Sequence, residues 1–285
     1  MTRTEFQKAI LLGSGDRRPK LVPAANRIRP VIEKHFELVG EDLFFKEDLS
    51  QADADIAIVL GGDGSILRAG KQMGGNQIPV LGVNLGKLGF LADIQPDDLE
   101  LSLRKIASGE FRVVDHIMMR CQLYENEKLV FEGVGLNEAA ILGGPPFNIQ
   151  SIDLYVDDEL ATSYACDGLI ISTPIGSTAH NLSAGGPIVR KDVQAFVISA
   201  ISPHTLTVRP IVDTADRTFE IVAKKPNEST CLVFDGQVVS KLTPEHRVRV
   251  QKADDVFQLI EVAGKGYYRT LREKLGWGGE FRKSK

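Results

Sequence analysis

Leu60-Gly-Gly-Asp-Gly-Ser-Ile-Leu-Arg68 sets one carboxylate among three glycines, directly after the apolar run at residues 56–60. A short, β-branched run of this kind suits a buried parallel strand. Ile66-Leu-Arg-Ala69 then continues as a helical pattern. The motif therefore reads as a strand-to-helix turn, where open α/β sheets bind ligands. Gly61, Gly62 and Gly64 lack a Cβ, so the backbone can come close to phosphate oxygens. Their amides and the helix N-terminus favour an anion. The charge of Asp63 opposes one, unless it holds Mg²⁺ or takes a proton from an attacking hydroxyl. Phosphoryl transfer is the functional reading. Taken alone, the turn fits a glycine-rich βα turn with a capping aspartate equally well.

Three further segments carry polar groups at strand ends. Asp167-Gly-Leu-Ile-Ile-Ser-Thr-Pro-Ile-Gly-Ser-Thr-Ala-His-Asn-Leu-Ser-Ala-Gly-Gly-Pro-Ile188 starts as a strand, turns at Pro174 and Gly176, and offers Ser177 and Thr178 as caps to a short helix. Its short hydroxyls suit ribose and phosphate oxygens, and Asp167 can accept from a ribose or an amide. Ser172 and Thr173 fit a purely structural turn; the dense run 177–183 fits it less well. Gly135-Leu-Asn-Glu138 enters the apolar run 139–142 and presents an amide and a carboxylate at a strand mouth. On its own it reads as a strand-end turn. Phe234-Asp-Gly-Gln237 reads as a plain β-turn.

Other chemistries lack their residues. The chain has no G-x-x-x-x-G-K-[ST] loop, no G-x-G-x-x-G around Gly62, no H-E-x-x-H and no G-x-S-x-G elbow. Its five histidines have no metal-ligand spacing. Cys121, Cys166 and Cys231 form neither a zinc pattern nor a disulfide framework, which points to the reducing cytoplasm. Cys166 reads as a small buried residue rather than a nucleophile. The net charge of −4 supplies no global basic field for nucleic acid. No apolar run approaches a membrane span, and the N-terminus has no signal-peptide pattern.

The elements that must position these groups change character along the 285 residues. Residues 9–12 read as a strand. Ala24, Ile28, Val31, Ile32, Phe36 and Val39 recur at helical spacing. Strands follow at 56–60 and 79–83, and Pro96 opens a helix that ends at Ser108-Gly109. This is a doubly wound, Rossmann-like α/β domain. From about residue 111 short strands dominate: 113–114, 118–124, 129–131, 152–156, 160–164, 169–172, 196–200, 218–222, 232–234, 248–250 and 257–262. Glu125-Asn-Glu127 and Asp157-Asp158 are hairpin turns. Residues 267–275 read as a helix ending at Gly276. The expected domains are 1–110, with 265–285 packing back on it, and a β-rich domain over 111–264.

In order and spacing, Gly61-Gly-Asp-Gly64, Asn84-Leu-Gly-Lys-Leu-Gly-Phe-Leu91, Asn137-Glu138, the 167–188 block, Pro203-His-Thr-Leu206 and Phe234-Asp-Gly-Gln237 resemble the NAD kinases, from about Ala9 to Gly264. The glycine-aspartate loop alone recurs in phosphofructokinases and lipid kinases; the 167–188 block is specific. The resemblance implies an ATP-dependent kinase of the adenosine 2′-hydroxyl of NAD, giving NADP, with Mg²⁺ or another divalent cation accompanying ATP. It implies that Asp63 is the base. Gly62, Gly64, Ser65 and Arg68 would serve the phosphates, with Phe90 in the neighbouring motif. Asn137 and Glu138 would bind the sugars and adenine. Asp167, Thr178, Ala179, His180, Asn181, Leu182 and Ser183 would hold the dinucleotide, with Gln237 at its edge. The resemblance also implies a homodimer or homotetramer, the usual state of that family, with the site completed by a neighbouring subunit. Three positions depart from the family: Ser65 replaces a Thr, Ile175 a Thr or Ser, and His180 a Tyr. The alternatives are a lipid or sugar kinase that shares the loop, and a nucleotide-sensing protein without turnover.

Overall fold

The computed structural model describes residues 6–16, 20–86, 89–263 and 267–276. They fall into two compact units, one drawn from Met1–Asp115 with Gln258–Lys285, the other His116–Phe257. The chain crosses from one unit to the other within two long strands, Phe111–Glu125 and His246–Val262.

The first unit is built from β1 (Lys8–Gly13), α1 (Leu21–Glu33), β2 (Glu37–Asp42), β3 (Ile56–Gly61), α2 (Asp63–Met73), β4 (Val80–Asn84) and α3 (Leu99–Ala107). Its parallel strands run in the order β2-β1-β3-β4. The chain winds one way from β1 to β2 and the other way through β3 and β4. The switch point therefore falls between β1 and β3, so ligands are expected beyond the carboxyl ends of these two strands. Every residue of β3 is buried, as the continuous apolar run requires. Leu11, Ile58, Leu60 and Leu81 join Leu21, Ile28 and Ile32 of α1 and Leu99 and Leu103 of α3 in one core.

The second unit is mostly β: β5 (Phe111–Glu125), β6 (Lys128–Gly135), β7 (Glu138–Leu142), β8 (Gln150–Val156), β9 (Glu159–Cys166), β10 (Gly168–Ser172), α4 (His180–Ser183), β11 (Ala195–Ile201), β12 (Ile211–Thr214), β13 (Phe219–Ala223), β14 (Cys231–Phe234), β15 (Gln237–Lys241) and β16 (His246–Val262). One sheet runs β12-β11-β10-β7-β14-β15; elsewhere β16, β13, β8 and β9 pair in that order. Phe196, Phe219, Ile221, Leu169 and Leu232 fill the core they share, with Phe196 and Phe219 packed edge-on at 5.8 Å. The last helix, α5 (Tyr267–Leu275), belongs to the first unit.

Some elements differ from the sequence reading. The helical spacing that reached Phe36 and Val39 ends at Glu33 and is followed by β2. Phe36 is a loop residue sunk into the core, whereas Val39 is 41% exposed on a strand. That strand lies at the sheet edge; its burial alternates, but adjacent Leu38 and Val39 and the following Gly40 hide that period in the residue types. The separate short strands read at 113–114 and 118–124 are one strand, β5, and those at 248–250 and 257–262 are one strand, β16. β12 and β15, both edge strands with largely exposed side chains, gave no signal. The two hairpin turns are as read: Asn126, Glu127, Asp157 and Asp158 all take positive φ.

Candidate active site

In the first unit the site begins where β3 ends. Gly62 is the N-cap of α2, and Asp63 is its first residue. The Asp63 carboxylate does not cap its own helix. It reaches across to residues 90–92, accepting the Phe90 N–H on Oδ2 at 2.8 Å and the Leu91 and Ala92 N–H groups on Oδ1 at 2.9 and 3.1 Å. A carboxylate offers about four lone-pair directions. Among the described residues three are taken, which leaves one on Oδ2. Gly89 lies so close that a Cβ there would strike Oδ1. The motif containing Phe90 is thus bolted to the glycine turn through Asp63. The ring of half-buried Phe90 also lies under the Lys274 ammonium of α5, at 5.0 Å.

The neighbouring residues divide into those facing inward and those left accessible. Ser65 is buried, its Oγ 3.1 Å from Ser14 Oγ at the end of β1. Gly61 takes φ +148°, and a side chain there would collide with the Ser65 hydroxyl. Ser65 therefore ties the first turn of α2 to the end of β1 rather than lining the loop. Gly62 is half-buried and Gly64 exposed, and a Cβ on Gly64 would meet nothing within 4 Å. Arg68 is held from two sides. Its Nη1 donates to Asp16 at 3.0 and 3.1 Å, and its guanidinium lies 4.7 Å above the Phe45 ring. Phe45 belongs to a loop fixed by buried Asp42, which accepts the N–H groups of Phe44, Lys46 and Glu47. Burial pushes the Asp42 carboxyl up, but these amides and the Gln72 side chain outweigh it and leave it below the usual carboxylate value.

In the second unit the candidate residues gather at one end of the sheet. Ser172 of β10 pairs with Glu138 of β7, and Phe234 of β14 pairs with Ala139. Asn137-Glu138, the turn after Ser172 and the Asp235-Gly236 hairpin are brought together there. The Asn137 carbonyl accepts the Thr173 N–H at 2.8 Å and the Ser172 hydroxyl at 3.3 Å. Thr173 Oγ donates to the Leu136 carbonyl. Gly176 lies against the Asn137 backbone, closer than any Cβ would permit. Asn137 is half-buried, while the Glu138 side chain is only 5% exposed.

The run 178–183 splits in a way that residue type alone did not show. Asn181 is fully buried; its Nδ2 donates to the Ser177 and Pro187 carbonyls at 3.0 and 3.1 Å, and its Oδ1 accepts the Ser199 hydroxyl at 2.7 Å. It locks the block onto β11. Ser177 is likewise internal, bonded to Pro174 and Val189. Thr178, Ala179, His180 and Leu182 are half-buried and Ser183 is exposed, so these remain available to a ligand. Ile175 is buried, 4% exposed. Gln237 is exposed on the hairpin.

Asp167 lies apart from the Asn137–Glu138 pair. It precedes Gly168, which pairs with Leu142, so it lies at the far end of β10 from Glu138. Five strand residues separate those ends by roughly 17 Å. The sequence placed Asp167 and the 178–183 run in one block, but the strand between them carries Asp167 away from the Asn137–Glu138 end.

The residues missed from the sequence are those that hold others in place: Asp235 beneath residues 136–138, and Asp16 and Phe45 around Arg68. The signal for Asp235 was the Asp-Gly pair in a hairpin. For Asp16 and Phe45 nothing local marked the contact. Among the described residues no group of three or more His, Cys, Asp or Glu side chains could hold a metal ion.

A glycine-nested carboxylate at a switch point has the form of a phosphotransferase loop. Comparison with known proteins gives the particular family. The ATP-NAD kinase N-terminal domain matches residues 41–111 and the ATP-NAD kinase C-terminal domain residues 136–262. An NAD kinase of Rhodopirellula baltica is 52% identical over 272 residues, 95% of this chain and 87% of that protein. One from Geobacter metallireducens is 40% identical, covering 88% and 89%. Among solved structures, yeast NADH kinase complexed with NADH superposes with a TM-score of 0.82 at 22% identity, over 99% of this chain and 91% of that one. An Archaeoglobus fulgidus NAD kinase in complex with ATP gives 0.67 at 25% identity, over 95% and 99%. The chain belongs to the ATP-NAD kinase family, with the fold class that its motifs implied.

Proposed function

We propose that the protein transfers the γ-phosphoryl group of ATP to the 2′-hydroxyl of the adenosine ribose of NAD, giving NADP. The observation that carries this reading is the Asp63 carboxylate, fixed by three amides with one lone pair of Oδ2 left over among the described residues. A hydroxyl donating to that position is oriented for attack, and the proton passes to Asp63 as the oxygen bonds to phosphorus. Holding the hydroxyl in line can supply much of the rate. Gly62 and Gly64 amides and Arg68 serve the phosphates of ATP. Asn137, Glu138 and the accessible members of 178–183 hold NAD, Asn181 acting through its packing, with Gln237 at the edge and Ser65 supporting the glycine turn from within.

A divalent cation such as Mg²⁺ suits this donor set only as a companion of ATP. Asp63 has its lone pairs largely committed, and no cluster of three ligands exists among the described residues. When bound it would neutralise triphosphate charge and keep several waters.

A homodimer or homotetramer is the assembly the motif resemblance implies. Exposed Ile211 and Val212 on edge strand β12, and Leu206 at 93% exposure, supply apolar surface for such contacts. A cytoplasmic setting agrees with three unpaired cysteines, and no described helix is long and apolar enough to cross a membrane. Titration calorimetry tests the substrate directly. NAD is expected to bind, diacylglycerol and hexose phosphates are not, and Asn137→Ala is expected to weaken NAD binding. A protein that ignores NAD and binds a lipid or sugar overturns the proposal.

A further inference from the structure

We infer that Asp235 is a positioning residue for the nucleotide acceptor, holding the turn that presents Asn137 and Glu138. Asp235 and Gly236 are the two left-handed residues, φ 46° and 73°, of the hairpin between β14 and β15. Because β14 pairs with β7, the hairpin lies beside the chain entering β7. Three successive amides there point at one carboxylate. The Leu136 N–H donates to Oδ2 at 3.0 Å, and those of Asn137 and Glu138 donate to Oδ1 at 2.8 and 3.3 Å. Consecutive N–H groups of this kind form a concavity that binds an anion; here the anion is supplied by the protein itself.

The Asp235 N–H returns a bond to the Glu138 carbonyl at 2.9 Å. Gly135 leaves the space this needs, since a Cβ there would sit 2.6 Å from Oδ2. On the opposite side the Asn137 carbonyl is taken by Thr173 and Ser172. The turn is thus gripped through its amides by Asp235 and through its carbonyls by the 172–173 pair. Neither grip uses the Asn137 side chain, which is left for the ligand.

Two roles of Asp235 separate by substitution. Asn-Gly is at least as good a two-residue hairpin as Asp-Gly, so Asp235→Asn keeps the hairpin. It also removes the charge and turns an NH₂ group toward at least one of the three amides. The proposal rests on the reading of Asn137 as a nucleotide contact, so Asn137→Ala is measured alongside. We expect Asp235→Asn to raise KM for NAD about 10–100-fold, the loss of a charge-assisted hydrogen bond, with kcat within about threefold and KM for ATP unchanged. Amide hydrogen exchange at residues 136–138 should quicken while exchange in β10 and β11 does not. Gly135→Ala should reproduce the effect by crowding the carboxylate.

Unchanged exchange at 136–138 overturns the proposal. So does an unchanged KM for NAD in Asp235→Asn when Asn137→Ala raises it. Parallel loss of kcat and of both KM values would show general disruption instead, and also overturns it. If Asn137→Ala leaves KM for NAD unchanged, the turn is not a nucleotide site, and the reading on which Asp235 depends fails first.

Discussion

Replacing Asp63 by Asn separates its chemistry from its grip on the neighbouring loop. The side chain keeps its size but loses its charge and one acceptor oxygen. In wild type Oδ2 takes one amide and Oδ1 takes two, so the less costly orientation places the new NH₂ at the Oδ2 position, facing Phe90. One charge-assisted hydrogen bond is lost, worth about 1.5–3 kcal/mol, and the open lone pair that would receive the hydroxyl proton disappears with it. Removing a general base lowers kcat by about 10²–10⁴, or about 3–5 kcal/mol of barrier at 1.36 kcal/mol per decade. The assay is kcat at saturating NAD and ATP, together with a thermal melt. We expect kcat to fall in that range, NAD still to bind, and the melting temperature to drop by several degrees as the 90–92 loop loosens. Gly89→Ala is a companion test: it leaves the carboxylate in place chemically but drives a methyl onto Oδ1, so it should lower kcat without removing any ionisable group. Turnover of Asp63→Asn within about threefold of wild type would refute the assignment of Asp63 as the base.

Asp42 should make the first unit acid-sensitive. Its folded carboxyl titrates below the unfolded value of 3.8, so its stabilisation is present above that value and is lost as pH falls through the lower folded one. Asp42→Asn should therefore melt below wild type at pH 7, the gap narrowing toward pH 3, and a constant gap would contradict this. Burial, aided by the charge of Asp235, pushes the Cys121 thiol up to about 12, and burial pushes Cys166 up to about 11. Iodoacetamide at pH 8 should leave both unlabelled and activity intact, with labelling appearing only on unfolding. Half-buried His180, where the motif resemblance implies a tyrosine, is read as a packing replacement, so His180→Tyr should leave the pH profile of KM for NAD between about pH 5.5 and 8 unchanged; a flattened profile would show that the imidazole acts electrostatically.

The glycine turn of the candidate site was legible because its residues sit where the backbone must do something unusual. The glycines around Asp63 announced a close approach, and the periodicity on either side fixed strand, turn and helix. What the sequence did not show was the partner of each polar side chain. Asp63 binds amides 27 to 29 residues away, and Asp235 binds amides 97 to 99 residues away. Contacts of that separation depend on sheet order, which local pattern does not encode. The same limit explains Asn181, a polar residue in a polar run that proves to be core, and Asp167, adjacent to the block in sequence but at the other end of a strand. The edge strands β2, β12 and β15 escaped for a different reason. β12 and β15 bury too little to leave a period-2 pattern, and in β2 adjacent Leu38 and Val39 mask the alternation of burial.

The central claim is a reaction, and product formation tests it most directly. Purified protein is incubated with NAD, ATP and Mg²⁺, and NADP is read with an NADP-specific dehydrogenase. We predict NADP that accumulates with time and enzyme concentration, requires ATP and Mg²⁺, and is nearly absent with Asp63→Asn. No NADP from a folded protein that binds NAD would contradict the account and leave a nucleotide-binding protein without turnover.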